Sequence, residues 1–156
     1  MVSSYKNVDR LRQLGTELMA QMSDWLLAGL DLDLNVAWID AKIRRNLADP
    51  ASEGVQFPRI PEWRINGNAR YRFSEALRVS LGWRYASRPN SDLLGLKRGD
   101  TYTYVSEFLI VDARVSWNAT RNAELSLGVD NLNNDRGWVS HPLPQRTFVA
   151  DLKWRL

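Results

Sequence analysis

The sequence of 156 residues contains no cysteine and one histidine, His141. The missing cysteine excludes disulfide frameworks, thiolate zinc sites and a cysteine nucleophile. A single histidine also excludes metal and catalytic sites that need two. The net charge of +3 is small, so we expect no nucleic acid partner.

Long hydrophobic runs are absent too. No stretch reaches the roughly 18 consecutive apolar residues that a membrane-spanning helix needs. Residues 1–10 lack the apolar segment of a secretory signal peptide, so none is expected. These absences alone would suggest a soluble cytoplasmic protein, but the spacing of the apolar residues points elsewhere.

Apolar and polar residues alternate along most of the chain, which is the period of a β-strand with one apolar face. Residues 6–22 fit both this alternation and a helical stripe. Gly15 weakens a helix there, and the strands that follow favour a further strand. Six later segments alternate clearly and are predicted as strands: residues 29–43, 63–73, 77–85, 109–117, 123–130 and 147–156.

The connections between these strands alternate between short and long. Residues 23–28, 74–76 and 118–122 are short, whereas residues 44–62, 86–108 and 131–146 are long and rich in Pro, Gly, Asn and Asp. In an up-and-down sheet, all long loops then lie at one end and all short turns at the other. Outer-membrane barrels have this asymmetry.

The aromatic residues favour a membrane barrel over a soluble one. They lie on the apolar side of the strands and gather near the two ends, as expected of the aromatic girdles of a lipid-facing surface. The opposite side carries many charges of both signs, too many for a packed soluble core. The predicted girdle comprises Trp38, Trp63, Trp83 and Tyr85 at the loop end, and Tyr71, Trp117 and Trp154 at the turn end.

We therefore predict an all-β fold, an antiparallel up-and-down transmembrane β-barrel segment of about seven strands that is part of a larger barrel. Outer-membrane lipid is the expected partner of its apolar side. A soluble ligand-binding β-barrel and a porin-like outer-membrane channel remain as alternatives.

Several motifs, in this order and spacing, resemble the C-terminal part of TonB-dependent outer-membrane receptors. They extend along nearly the whole chain. They are Asn7 with Gly15-Thr16-Glu17-Leu18, Trp38-Ile39-Asp40-Ala41-Lys42-Ile43, the segment 57–63, Val111-Asp112-Ala113-Arg114, Val129-Asp130-Asn131-Leu132-Asn133-Asn134, and Pro144-Gln145-Arg146-Thr147-Phe148.

The resemblance implies that residues 1–156 are the C-terminal part of a receptor barrel in the outer membrane of a Gram-negative bacterium, as a fragment or a truncated gene product. The plug domain, the TonB box and the signal peptide would be missing. The parent protein would import a ferric siderophore or a similar chelated nutrient, using energy that TonB transmits through the plug. The seven strands alone should not transport, because an open sheet edge is costly in lipid.

The last strand is similar to the insertion signal that the barrel assembly machinery of the outer membrane recognises. Its residues are Phe148, Leu152, Trp154 and Leu156. Receptors of this kind usually end in an aromatic residue, and Leu156 takes that place here. The simpler interpretation is that Leu156 ends an ordinary amphipathic strand.

Five residues are candidates for ligand binding. Arg64, Arg84 and Arg114 lie on the charged side and could bind an anionic ferric siderophore, because guanidinium groups bind carboxylates and phosphates well. Trp138 and His141 lie in the last long loop. The simpler interpretation is that the arginines pair with carboxylates and that His141 is an ordinary loop residue. We identify no catalytic pair, so we expect neither an enzyme nor a cofactor.

Overall fold

A computed structural model describes residues 7–155 of the chain. Within that range, no helix is long and apolar enough to cross a membrane. The helical element present there is one turn of 3₁₀ helix, Pro50–Ser52. The strands are β1 (Arg10–Ser23), β2 (Leu30–Arg45), β3 (Trp63–Arg72), β4 (Leu77–Ala86), β5 (Phe108–Asn118), β6 (Ala123–Asp130), β7 (Trp138–Val139), β8 (His141–Pro142) and β9 (Thr147–Trp154).

Seven of these strands form one antiparallel sheet in the order β1-β2-β3-β4-β5-β6-β9. Neighbours in the sequence are neighbours in the sheet, apart from the small β7–β8 hairpin inserted before β9. The six clearly predicted strands are confirmed. The ambiguous first segment is also a strand, and β2 extends two residues beyond the predicted end at residue 43.

The predicted alternation of short and long connections is confirmed. Turns of residues 24–29, 73–76 and 119–122 lie at one end of the sheet, hereafter the turn end. The three long connections lie at the other, the loop end. We name them L1 (residues 46–62), L2 (residues 87–107) and L3 (residues 131–146).

The strand register separates the side chains into two faces. The apolar face carries, for example, Trp38 opposite Trp63, and Leu81 opposite Ala113. Many of its large side chains are exposed, and Leu18, Leu127 and Leu152 keep 63%, 57% and 70% of their surface. The polar face is crossed by ion pairs: Arg70–Asp33 (2.8 Å), Arg78–Glu124 (2.7 Å), Arg84–Asp112 (3.2 Å) and Arg114–Asp151 (3.8 Å).

The buried apolar core is small, since within residues 7–155 no second layer packs on the sheet. Its described members are Ala41, Ile43, Ala86, Ile110 and Ala123, and these are small or lie near the loops. Loop L1 folds back on β2 and continues the hydrogen-bond ladder, with Phe57 N donating to Ala41 O at 2.6 Å and Gly54 N to Ile43 O at 2.8 Å. Ala41 and Ile43 have no exposed surface as a result.

Candidate functional site

Loops L2 and L3 are joined by a short stretch of β-structure at the loop end. The β7–β8 hairpin of L3 lies against residues 103–106 of L2, and Val105 forms a β-bridge with Val139. Ser106 N donates to Trp138 O at 2.8 Å, and Ser140 N donates to Tyr104 O at 2.9 Å. Because backbone groups make these contacts, the two long loops are held together as one unit.

A cluster of polar side chains in L2 makes one further hydrogen bond to L3. Arg88 donates to Asp100 at 2.8 Å, and the Ser106 hydroxyl donates to the same carboxylate at 2.6 Å. Ser106 Oγ also accepts from Trp138 N at 2.9 Å. The hydrogen bonds from Arg88 and then from Ser106 lower the pKa of Asp100 below its usual value, so the carboxylate form is favoured.

Loop L1 is attached to L2 through Asn90. Arg59 N donates to Asn90 O at 2.8 Å, and Asn90 Nδ2 donates to Gln56 O at 2.9 Å. Arg59 adopts a left-handed backbone conformation (φ 63°), which is unusual for a residue with a side chain. All three long loops are thus connected by hydrogen bonds.

A pocket of 470 Å³ opens between these loops and the loop end of the sheet. We call it the loop-end pocket. Three arginines line it, namely Arg59, Arg64 and Arg84, and its lining includes no carboxylate from the described part of the chain. Its walls are otherwise largely apolar, with Pro61, Phe108, Ile110, Val139 and Leu143.

The loop-end pocket carries uncompensated positive charge. Arg84 contacts Asp112 at 3.2 Å, which neutralises part of its charge. Within residues 7–155, Arg64 makes no ion pair, and its side chain is exposed. An anion with apolar groups would match this combination of charge and surface.

The structure brings some of the sequence-predicted ligand residues together and separates others. Arg64 and Arg84 line the loop-end pocket, whereas Arg114 lies outside it and contacts Asp151 at 3.8 Å. Trp138 and His141 flank the pocket residues Val139 and Ser140 on the hairpin. Both rings pack edge-on against Tyr102, at centroid distances of 5.1 and 5.9 Å.

Sequence reasoning missed Arg59 and Tyr102. Both lie in long loops that have no periodic pattern, and each reaches its neighbours through contacts between different loops. The one local signal was the Pro-rich segment around Arg59, with Pro58 and Pro61.

The predicted girdle residues occupy the apolar face near its two ends. At the loop end, Trp38 lies opposite Trp63, and Tyr85 donates to Glu107 at 2.7 Å. At the turn end, Tyr71 packs edge-on against Phe73 at 4.4 Å. Three further tryptophans lie on the same face. Trp83 of β4 is near the loop end, and Trp117 of β5 and Trp154 of β9 are at the turn end.

The residues of the predicted insertion signal lie on β9. Phe148, Leu152 and Trp154 are exposed on the apolar face, with 77%, 70% and 62% of their surface accessible. Leu156 is outside the described residues.

The motif that begins at Val129 has a structural role that sequence reasoning did not identify. Asn131 is 3% exposed, and its backbone N–H donates to Asp112 at 2.8 Å. Its side-chain amide donates to the carbonyls of Asp135 and Pro144, both at 2.9 Å, and accepts from Asp135 N at 2.8 Å. Asn131 therefore anchors both ends of L3 to β5.

A family model described as "TonB dependent receptor-like, beta-barrel" matches residues 2–132. The chain belongs to this family. No curated protein matches it. Solved structures of similar fold agree with the family assignment. Together they confirm the predicted receptor-barrel fold, and they do not favour the soluble-barrel or porin-like alternatives.

Three solved structures illustrate the likeness, and the chain covers 92% of its own length in each. The siderophore receptor PiuA from Acinetobacter baumannii has a TM-score of 0.79 and 18% identity, with 22% of that receptor covered. The ferric citrate transporter FecA has a TM-score of 0.77 and 18% identity, with 24% covered. The copper transporter OprC has a TM-score of 0.62 and 20% identity, with 24% covered. The chain thus spans less than a quarter of the length of these proteins.

Proposed function

We propose that residues 1–156 form the C-terminal part of the barrel of an outer-membrane receptor that imports a ferric siderophore or a similar anionic chelate. The observation that carries the proposal is the loop-end pocket on the polar face of a TonB-dependent receptor barrel. Its arginines would hold the negative groups of the chelate, and its apolar walls would hold the organic part.

The size and composition of the loop-end pocket support a small-molecule ligand. Its 470 Å³ falls within the range of about 300–1,000 Å³ that is usual for ligand pockets. Arg59 and Arg64 would be the main charged contacts, because neither guanidinium group has an ion-pair partner among residues 7–155. Tyr102, Trp138 and His141 would add aromatic contacts at the mouth.

Membership of the receptor family supports the partners and the location that we propose. TonB would act through a plug in the rest of the receptor, and the apolar face would contact outer-membrane lipid. The barrel assembly machinery would read Phe148, Leu152, Trp154 and Leu156 on and after β9. We propose no catalytic role for the chain, and receptor function explains the pocket without one.

The simplest test reads the genomic DNA over roughly 1,500 bases upstream of the first codon, a length scaled from a barrel of roughly 22 strands and a plug. An in-frame plug-like domain preceded by a signal peptide is the expected result. A stop codon or an unrelated gene there would remove transport from the function of this chain.

A second test measures uptake of a panel of radiolabelled ferric chelates by iron-limited cells that carry the complete receptor. Arg64→Ala should raise the KM for the transported chelate by about tenfold, since a charge-assisted hydrogen bond is lost. Arg70→Ala is the matched control, because Arg70 pairs with Asp33 at 2.8 Å elsewhere on the polar face. Uptake that persists without TonB would indicate a passive channel and would contradict the proposal.

A further inference from the structure

The apolar face carries charged side chains in one region only of the described strands. Among the strand residues that the structure describes, this face is uncharged along β3, β4, β5, β6 and β9. Its charges are confined to the loop end of β1 and β2. There the register places Arg12 opposite Lys42 and Leu14 opposite Asp40, and the exposed Arg44 follows at a register shift where Arg10 pairs with Arg45. We call Arg12, Lys42 and Arg44 the basic patch.

The basic patch lies just beyond the aromatic girdle. Lys42 is four residues past Trp38 on β2, which is about 13 Å along the strand and about 10 Å along the membrane normal at the usual tilt. Because the long loops mark the extracellular end of an outer-membrane barrel, this is the depth of the headgroups of the outer leaflet.

One carboxylate organises the patch without neutralising it. Asp40 contacts Arg12 at 2.8 Å and Lys42 at 3.0 Å, and its side chain is 12% exposed. The side chains of Arg12 and Lys42 nevertheless remain 52% and 40% exposed. Arg44 makes no ion pair with any described residue, and the exposed Arg10 and Arg45, opposite each other in the register, add further positive charge.

We infer that the basic patch binds the phosphate groups of lipid headgroups in the outer leaflet. Guanidinium and ammonium groups held at headgroup depth attract phosphate, and each contributes favourably near an anionic membrane surface. The inference rests on the proposed outer-membrane location but not on the transported chelate.

The surroundings favour a lipid over free phosphate. Directly below the patch, Leu14 lies opposite Asp40 and keeps 57% of its surface exposed. Trp38 follows on the next outward position of β2. One molecule that carries both phosphate and acyl chains would cover the charges and this apolar surface together, which inorganic phosphate cannot do.

The test titrates the full chain in detergent micelles with lipid A that carries its phosphates, and counts bound lipid by native mass spectrometry. The variant Arg12→Gln/Lys42→Gln/Arg44→Gln should bind about a hundredfold more weakly, scaled from three basic residues at an anionic surface. The single variant Arg44→Gln should lose about fivefold, and it leaves the contacts of Asp40 intact. It therefore tests the patch even if the triple variant fails to fold.

The matched control is Lys97→Gln/Arg98→Gln/Arg136→Gln, which removes the same residue types from exposed positions in L2 and L3. It should bind lipid A like the wild type. Equal losses in the control and the patch variants would overturn the inference, as would equally tight binding of dephosphorylated lipid A. Full competition by inorganic phosphate at the same concentration would also overturn it, because the site would then be one for free phosphate. If the complete wild-type receptor took up no chelate while the patch variants lost lipid A binding as expected, the proposed function alone would be contradicted.

Discussion

At the residue scale, Gly67 and Trp83 illustrate how the apolar face accommodates a girdle tryptophan. The two residues are opposite each other on β3 and β4, and the indole ring covers the glycine. A Cβ atom at position 67 would overlap the indole ring of Trp83. The missing side chain therefore permits the position of the ring.

Gly67→Ala should destabilise the sheet by about 2 kcal/mol, since the ring must move off its site. The measurement is the free energy of unfolding in micelles by urea titration. Gly82→Ala is the control, because the nearest atom to its added Cβ is 3.9 Å away. An equal effect of both substitutions would show that general strand propensity, rather than the Trp83 contact, sets the cost.

Asn131→Ala should cost about 3 kcal/mol, because it leaves buried carbonyl and N–H groups of L3 without partners. Asn134→Ala controls for the backbone, since both residues are left-handed, with φ of 53° and 54°. Asn134 accepts one hydrogen bond through its side chain, from Arg146 N. Comparable losses in the two variants would mean that backbone strain accounts for the whole effect.

At the scale of elements, one hydrogen bond between L2 and L3 is coupled to a titrating group, because Ser106 Oγ accepts from Trp138 N and donates to Asp100. The pKa of Asp100 is lowered in the folded chain, mainly by the hydrogen bond from Arg88. Its contribution to stability is therefore fully present above the ordinary value of 3.8 and is lost as the pH falls through the lowered folded pKa.

We expect the hydrogen bond between Ser106 and Trp138 to weaken in that acid range, and Asp100→Asn to remove the pH dependence. The backbone amide signal of Trp138 in NMR spectra reports the change, since this amide donates to Ser106 Oγ. Asp92→Asn, in the same loop and without a contact to Ser106, should keep the wild-type titration. A Trp138 signal that does not change with pH in the wild type would contradict the expectation.

The strands could be predicted from the sequence because the alternation of apolar and polar residues depends only on neighbouring positions in the chain. Alternation in residues 30–38 reports which face each side chain takes, whatever the neighbouring strand is. The loops follow no such rule. The contact of Tyr102 with Trp138, and that of Arg59 with Asn90, join segments from different long loops. Within the candidate site, strand residues Arg64 and Arg84 could therefore be predicted, whereas Arg59 could not.

At the scale of the whole molecule, the two faces predict opposite exposures to water in a bilayer. The chain has no cysteine, so single cysteines can be introduced without background. Leu81→Cys on the apolar face should resist a water-soluble maleimide in lipid vesicles, whereas the neighbouring Ser80→Cys on the polar face should react. Rates that are equal, or reversed, would contradict a lipid-facing apolar surface.

The small buried core has a thermodynamic consequence. In a soluble domain, unfolding transfers apolar side chains from the interior to water, and this produces the large rise in heat capacity. Here Ile43 and Ile110 are the largest apolar side chains buried inside the described chain, and most of the leucines lie outside. A large rise in heat capacity should therefore accompany the removal of lipid from the folded sheet, because that step exposes the leucines to water. In a soluble protein, the same rise is measured when the protein unfolds.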